Sequence, residues 1–120
     1  MTRPMNFEPG EQQELMRETF ARFLDDHSSM ARVRAATSGF DPALWRGLGE
    51  MGALALRVRE EAGGMALGLF DAVLLMEEAG PTLVSGPLAE TLVCARLLDR
   101  IGGEPCAGLL AEQLSGEAVV

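Results

Sequence analysis

The sequence contains no lysine and no tyrosine, one histidine (His27), one tryptophan (Trp45) and two cysteines (Cys94 and Cys106). All ten basic residues are arginine, which excludes Schiff-base chemistry, a P-loop lysine and a lysine general base. A lone histidine needs an orienting partner to serve as a catalytic base, and no such partner stands at a recognisable spacing from His27. The cysteines form neither a CxxC motif nor a disulfide framework; free thiols suit a reducing compartment, and the expected location is cytoplasmic. Basic charge is short as well. Aspartate and glutamate total 18, the net charge is −8 and the pI is near 4.6. A phosphate backbone or an anionic membrane would be repelled, so neither nucleic acid nor membrane is an expected partner. Met1–Asn6 lacks the apolar core of a signal peptide, and no stretch approaches the roughly 18–20 apolar residues that span a bilayer.

What the chain does have is apolar residues in helical register. At 120 residues and 48% hydrophobic content it can bury a core and form one domain. From Glu11 to about Asp26, Leu15, Met16, Phe20, Phe23 and Leu24 fall on one side of an amphipathic helix. Ser28 or Ser29 can cap a short second helix ending near Ala36. Asp41-Pro42 pairs a carboxylate cap with proline at the first helical position and opens a third helix, in which Leu44, Leu48 and Met51 face inward beside Trp45. Gly52 supplies its left-handed stop. Leu54, Leu56 and Val58 alternate before Gly63-Gly64, which predicts extended chain and a turn over residues 53–64.

A fourth helix starts near Leu67 or Gly68, runs to Ala79 and is stopped by Gly80-Pro81. The fifth covers Gly86-Pro87 to Ile101. Both are apolar on more than one stripe, which predicts burial on most sides and makes them the centre of the bundle. Gly102-Gly103 closes the fifth, Pro105 opens a sixth with Leu109, Leu110 and Leu114, and Ser115-Gly116 ends it. Glu117–Val120 reads as the start of a strand without a partner. The expected fold is therefore all-α, a compact bundle of about six helices with two buried central ones, ending where a strand begins. Residues 1–8 form a lead, 9–116 the helical domain, and 117–120 the first residues of a truncated strand domain.

Five motifs in this order resemble the N-terminal domain of acyl-CoA dehydrogenases. They are Asn6-Phe7-Glu8 through Glu11-Gln12-Gln13 continued by Phe20–Leu24; Phe40–Trp45 with Leu48–Gly52; Arg59-Glu60-Glu61-Ala62-Gly63-Gly64; Met76–Gly80; and Ser85–Thr91. The third is similar to a Pro-Glu-Glu-(Tyr or Phe)-Gly-Gly turn. Arg59 stands for the proline and Ala62 for the aromatic, departures that predict a looser turn. The resemblance implies an oxidoreductase that removes hydrogens across the α and β carbons of an acyl-CoA thioester, in acyl-CoA catabolism, with FAD as hydride acceptor. It places the base and most flavin contacts in later domains, so no catalytic, cofactor-binding or metal-ligating residue is assigned to this chain. It implies assembly as a dimer or tetramer, with the remaining domains or a partner dehydrogenase subunit completing the site.

The N-terminal domain of the family contributes one wall of the acyl pocket. Ser85, Ala89 and Val93, four apart, are the candidate substrate-binding residues; the alternative is that they pack on the fourth helix. Two other functions stay open: a non-catalytic helical module binding a hydrophobic ligand or partner, and a degenerate subunit of a heteromeric dehydrogenase. Structural readings account for the remaining candidates. His27 suits a helix C-terminus, and adjacent Asp25-Asp26-His27 side chains diverge too far to share a metal. Cys94 fits as a small hydrophobe and Cys106 lacks a nearby histidine. Gly63–Gly68 lacks the Lys-Ser/Thr of a phosphate loop. Glu77 and Glu78, at an unfavourable helix end, call for arginine pairing or a domain junction.

Overall fold

The computed structural model describes residues 9–117 and 119. The lead over residues 1–8 lies outside the described residues, as do Ala118 and Val120 of the expected strand start. Glu117 is a bend and Val119 is in no regular element, and the described residues include no strand.

Six α-helices follow one another among the described residues: α1 (Glu11–His27), α2 (Met30–Ala35), α3 (Pro42–Glu50), α4 (Leu69–Ala79), α5 (Leu88–Ile101) and α6 (Glu104–Leu114). Their boundaries are chemically marked. The Ser29 side chain accepts the Arg32 N–H at 3.2 Å at the start of α2, and Asp41 Oδ1 accepts the Leu44 N–H at 3.2 Å at the start of α3. Beyond α3, Gly52 adopts φ +82°. Asp71 Oδ2 accepts the Gly68 N–H at 2.9 Å to begin α4, while its Oδ1 takes Gln13 Nε2 from α1 at 2.9 Å.

α1 lies on α4, burying Phe20 and Leu24 and bringing Met16 and Phe23 against the core. Leu15 is 63% exposed, against expectation. It is rotated about 100° from Met16, and the stripe that α4 covers is narrower than the apolar arc. At the other end of this contact Arg17 Nε donates to Glu78 Oε1 at 3.0 Å, and its guanidinium lies 3.6 Å from Glu77. This arginine supplies the compensation that two carboxylates at a helix C-terminus require.

Residues 53–64 correct the expectation of extended chain. Ala53–Ala55 and Glu60–Ala62 are 3-10 turns, and Ala53, Leu54, Ala55, Leu56 and Val58 are all buried. The first turn is wedged against α3, α5 and α6. Alternation failed as a strand signal because the intervening residues are not wet: Ala55 is small enough to be buried too, and Arg57 is half-buried. After Gly63 (φ +91°) the chain doubles back, and the N–H groups of Met65, Ala66 and Leu67 bond the carbonyls of Ala55, Val58 and Leu56. Gly64 is required here, since a Cβ would run into the Val58 carbonyl.

The turn is not loose. Arg59 donates its backbone N–H to Asp99 Oδ2 at 3.0 Å and its Nε–H to Asp99 Oδ1 at 2.9 Å, where proline would offer neither donor. Ala62 packs on a small second core of Val58, Ala95 and Leu110 beneath α5 and α6. The main core joins Phe20, Leu24, Leu44, Trp45, Leu48, Leu54, Leu75 and Leu92.

Candidate functional site

Burial of α4 and α5 is one-sided, which corrects the expectation that both are covered on most sides. Ala72, Leu75 and Ala79 of α4, and Leu88, Leu92 and Ala95 of α5, face inward. Leu69 and Val73 of α4, and Val93, Leu97 and Ile101 of α5, are 44–71% exposed. An apolar helix has no burial on a side where no neighbour lies, and the described residues put none over this face.

Between the two helices runs a groove of about 420 Å³, within the range of small-molecule sites. Leu69, Ala72, Val73 and Met76 form one bank; Ala89, Leu92 and Val93 form the other. Among the described residues only two charged side chains touch it, Arg57 and Glu77. Met76 and Ala89 also border a second cavity that continues past Leu83 and Gly86, so the groove opens toward the α4–α5 loop.

The sequence-chosen residues separate. Ala89 and Val93 line the groove, one helical turn apart. Ser85 does not: it precedes α5, is 8% exposed, and its carbonyl accepts the Asp41 N–H at 3.0 Å. Its place is at the junction of the α5 lead with α3, where Gly86 allows Trp45 to approach. The spacing of four extended the helix one turn too far toward its N-terminus, where Pro87 is the cap.

His27 ends α1 with its ring 4.5 Å from that of Phe23. Cys94 and Cys106 are half-buried free thiols. Among the described residues no three His, Cys, Asp or Glu side chains gather as a metal set, and no helix is long and apolar enough to cross a membrane.

The family described as acyl-CoA dehydrogenase, N-terminal domain, matches residues 10–107. The chain belongs to this acyl-CoA dehydrogenase N-terminal domain family. It is 39% identical to acyl-CoA dehydrogenase IpdE2 of Mycobacterium tuberculosis over 92% of its own length and 36% of the relative's. It is 44% identical to IpdE2 of Mycolicibacterium smegmatis over 77% of its length and 31% of the relative's. Benzylmalonyl-CoA dehydrogenase of Aromatoleum aromaticum is 30% identical over 82% of this chain and 27% of that protein. The chain thus spans about a third of the length of these relatives. No solved structure matches it.

Within this acyl-CoA dehydrogenase domain, the groove residues beyond Ala89 and Val93 were not chosen from sequence, and Arg57 is the one among them that lies outside α4 and α5. It lies in a stretch read as extended, and nothing local marks an arginine that reaches a groove formed by helices that begin 12 and 31 residues further on.

Proposed function

We propose that the chain is the N-terminal helical domain of an FAD-dependent acyl-CoA dehydrogenase, oxidising an acyl-CoA thioester across its α and β carbons, and that the α4–α5 groove is one wall of its acyl pocket. The observation that carries this reading is the groove itself. Seven of its nine lining residues are apolar, and several are exposed at a place where folding gains nothing from them. Each methylene of an acyl chain buried there contributes about 0.8 kcal/mol. Ala89 and Val93 touch the chain in this assignment, and Ser85 acts through position, holding the start of α5 against α3.

The groove gives a flavin little to bind, since Arg57 and Glu77 are its only polar side chains among the described residues. We therefore place FAD, which when bound accepts the hydride, and the base that removes the α-proton, in the remaining domains or in a partner dehydrogenase subunit. The reading extends to a cytoplasmic dimer or tetramer acting in acyl-CoA catabolism.

The test uses the full-length protein with its flavin and any partner subunit. Ala89→Trp is expected to raise KM for medium- and long-chain acyl-CoA by about tenfold or more, the equivalent of two or so lost methylene contacts, with less effect on the shortest substrates. Unchanged KM across the chain-length series sinks the wall assignment, and a protein that binds no flavin and oxidises no acyl-CoA sinks the enzyme reading.

A further inference from the structure

Arg57, Arg96 and Arg100 stand together in a chain of net charge −8, and none of them makes an ion pair among the described residues. Arg96 Nη1 donates to the Arg57 carbonyl at 3.3 Å, which ties the loop to α5 one turn beyond Val93. Arg57 therefore borders the groove at the end opposite Met76 and Ala89. Its Nε is buried and has no hydrogen-bond partner among the described residues. Burial first, and then the charges of Arg96 and Arg100, lower its pKa from the ordinary arginine value.

The carboxylate that could relieve this cluster is already engaged. Asp99, buried on α5 and close enough for Arg96 to influence its ionisation, gives both oxygens to Arg59. Glu77, the acid on the groove, is at the far end and beside Arg17. An arginine without a counter-ion ordinarily extends its head to water. Here a donor is withdrawn from water beside an apolar trough, which costs free energy unless an acceptor arrives.

We propose that Arg57, with Arg96 and Arg100 about it, is an oxyanion site closing one end of the α4–α5 groove, taking the carboxylate or phosphate group of a ligand whose apolar body lies along Ala89, Val93 and Leu69. Guanidinium groups suit this role because their planar donors match an oxyanion's two oxygens. The inference rests on the groove being a ligand site and adds that the ligand carries an anionic group at the Arg57 end.

The probes are octanoate, octanol of the same chain length, and inorganic phosphate, titrated calorimetrically into the full-length protein, wild type and Arg57→Met. Methionine keeps the wall apolar and similar in reach; Arg100→Gln is the second variant, removing charge without touching the Arg96 contact to the loop. Octanoate is expected to bind wild type about tenfold or more tightly than octanol, the scale of a charge-assisted hydrogen bond. That preference should vanish in Arg57→Met and shrink in Arg100→Gln. Phosphate that competes with octanoate, in a manner lost with Arg57→Met, identifies a phosphate group as the source of the anion. Preference for octanoate without phosphate competition identifies a chain-borne carboxylate. Equal binding of octanoate and octanol, with no phosphate binding dependent on Arg57, overturns the oxyanion site and leaves the groove reading intact. If octanol does not bind, the groove reading fails, and phosphate binding to wild type against Arg57→Met still decides the anion site.

Discussion

Arg59 and Asp99 are forty residues apart in sequence, yet they fix the turn on which the second core depends. Burial alone would raise the Asp99 pKa; the hydrogen bonds from the Arg59 backbone and side chain, with the charges of Arg59 and Arg96, outweigh it and hold the carboxyl below its ordinary value. A carboxyl depressed in the fold contributes stability that is complete above its unfolded pKa, about 3.9, and is lost as pH falls through the folded value. Stability is therefore expected to fall on acidification from about pH 5 downward, and Asp99→Asn should flatten part of that slope in urea titrations at a series of pH values. At neutral pH Asp99→Ala should cost about 1–3 kcal/mol, because donors at a buried site lose their acceptor. Gly64→Ala should also destabilise by about 1–3 kcal/mol, with no accompanying pH dependence, since it only forces Val58 and the turn apart. A Gly64→Ala protein with unchanged thermal midpoint would contradict the close approach of these two backbone segments.

At the scale of elements, α3 was readable because its start and stop are local chemistry: Asp41, Pro42 and Gly52 act within a few residues of themselves. α2 and α6 were readable for the same reason. The segment over 53–58 was not, because period-two spacing of Leu54, Leu56 and Val58 distinguishes a strand only when the intervening residues are wet. The candidate groove was half legible. Ala89 and Val93 follow from helical spacing, but which side of α5 is bare depends on where α6 and residues 53–55 lie. Arg57 depends on a loop meeting two helices, a relation that no local pattern carries. One-sided burial also separates folding from binding. Val93→Ser should change unfolding free energy by no more than about 0.5 kcal/mol, as for other exposed positions, while weakening octanol binding measurably. A large loss of stability in this variant would mean that Val93 is packed against the domain's own core.

The whole molecule is a slab, with Cα extents of 52 × 38 × 18 Å. Two packed helices, with axes about 8–10 Å apart and Cα atoms about 2.3 Å from each axis, span about 13–15 Å between outermost Cα atoms, so two helix layers and no third fit through the thin direction. Leu69, Val73, Val93, Leu97 and Ile101 accordingly share an open face on an acidic body. Apolar patches of this kind favour association, and like charge opposes it within a Debye length of about 10 Å at 0.1 M salt. The isolated 120-residue chain is expected to self-associate more strongly in 0.5 M than in 0.05 M sodium chloride by sedimentation velocity, and a Leu69→Glu, Val93→Glu, Ile101→Glu variant should stay monomeric in both. The thinness of the slab also sets two different rules for sequence drift. Inward positions such as Leu75 and Leu92 answer to folding, whereas on the open face the fold tolerates polar residues. A library of variants sorted for folded protein alone should drift toward Ser, Thr and Glu at positions 69, 93 and 101, and one sorted for function of the full-length protein should retain their aliphatic side chains.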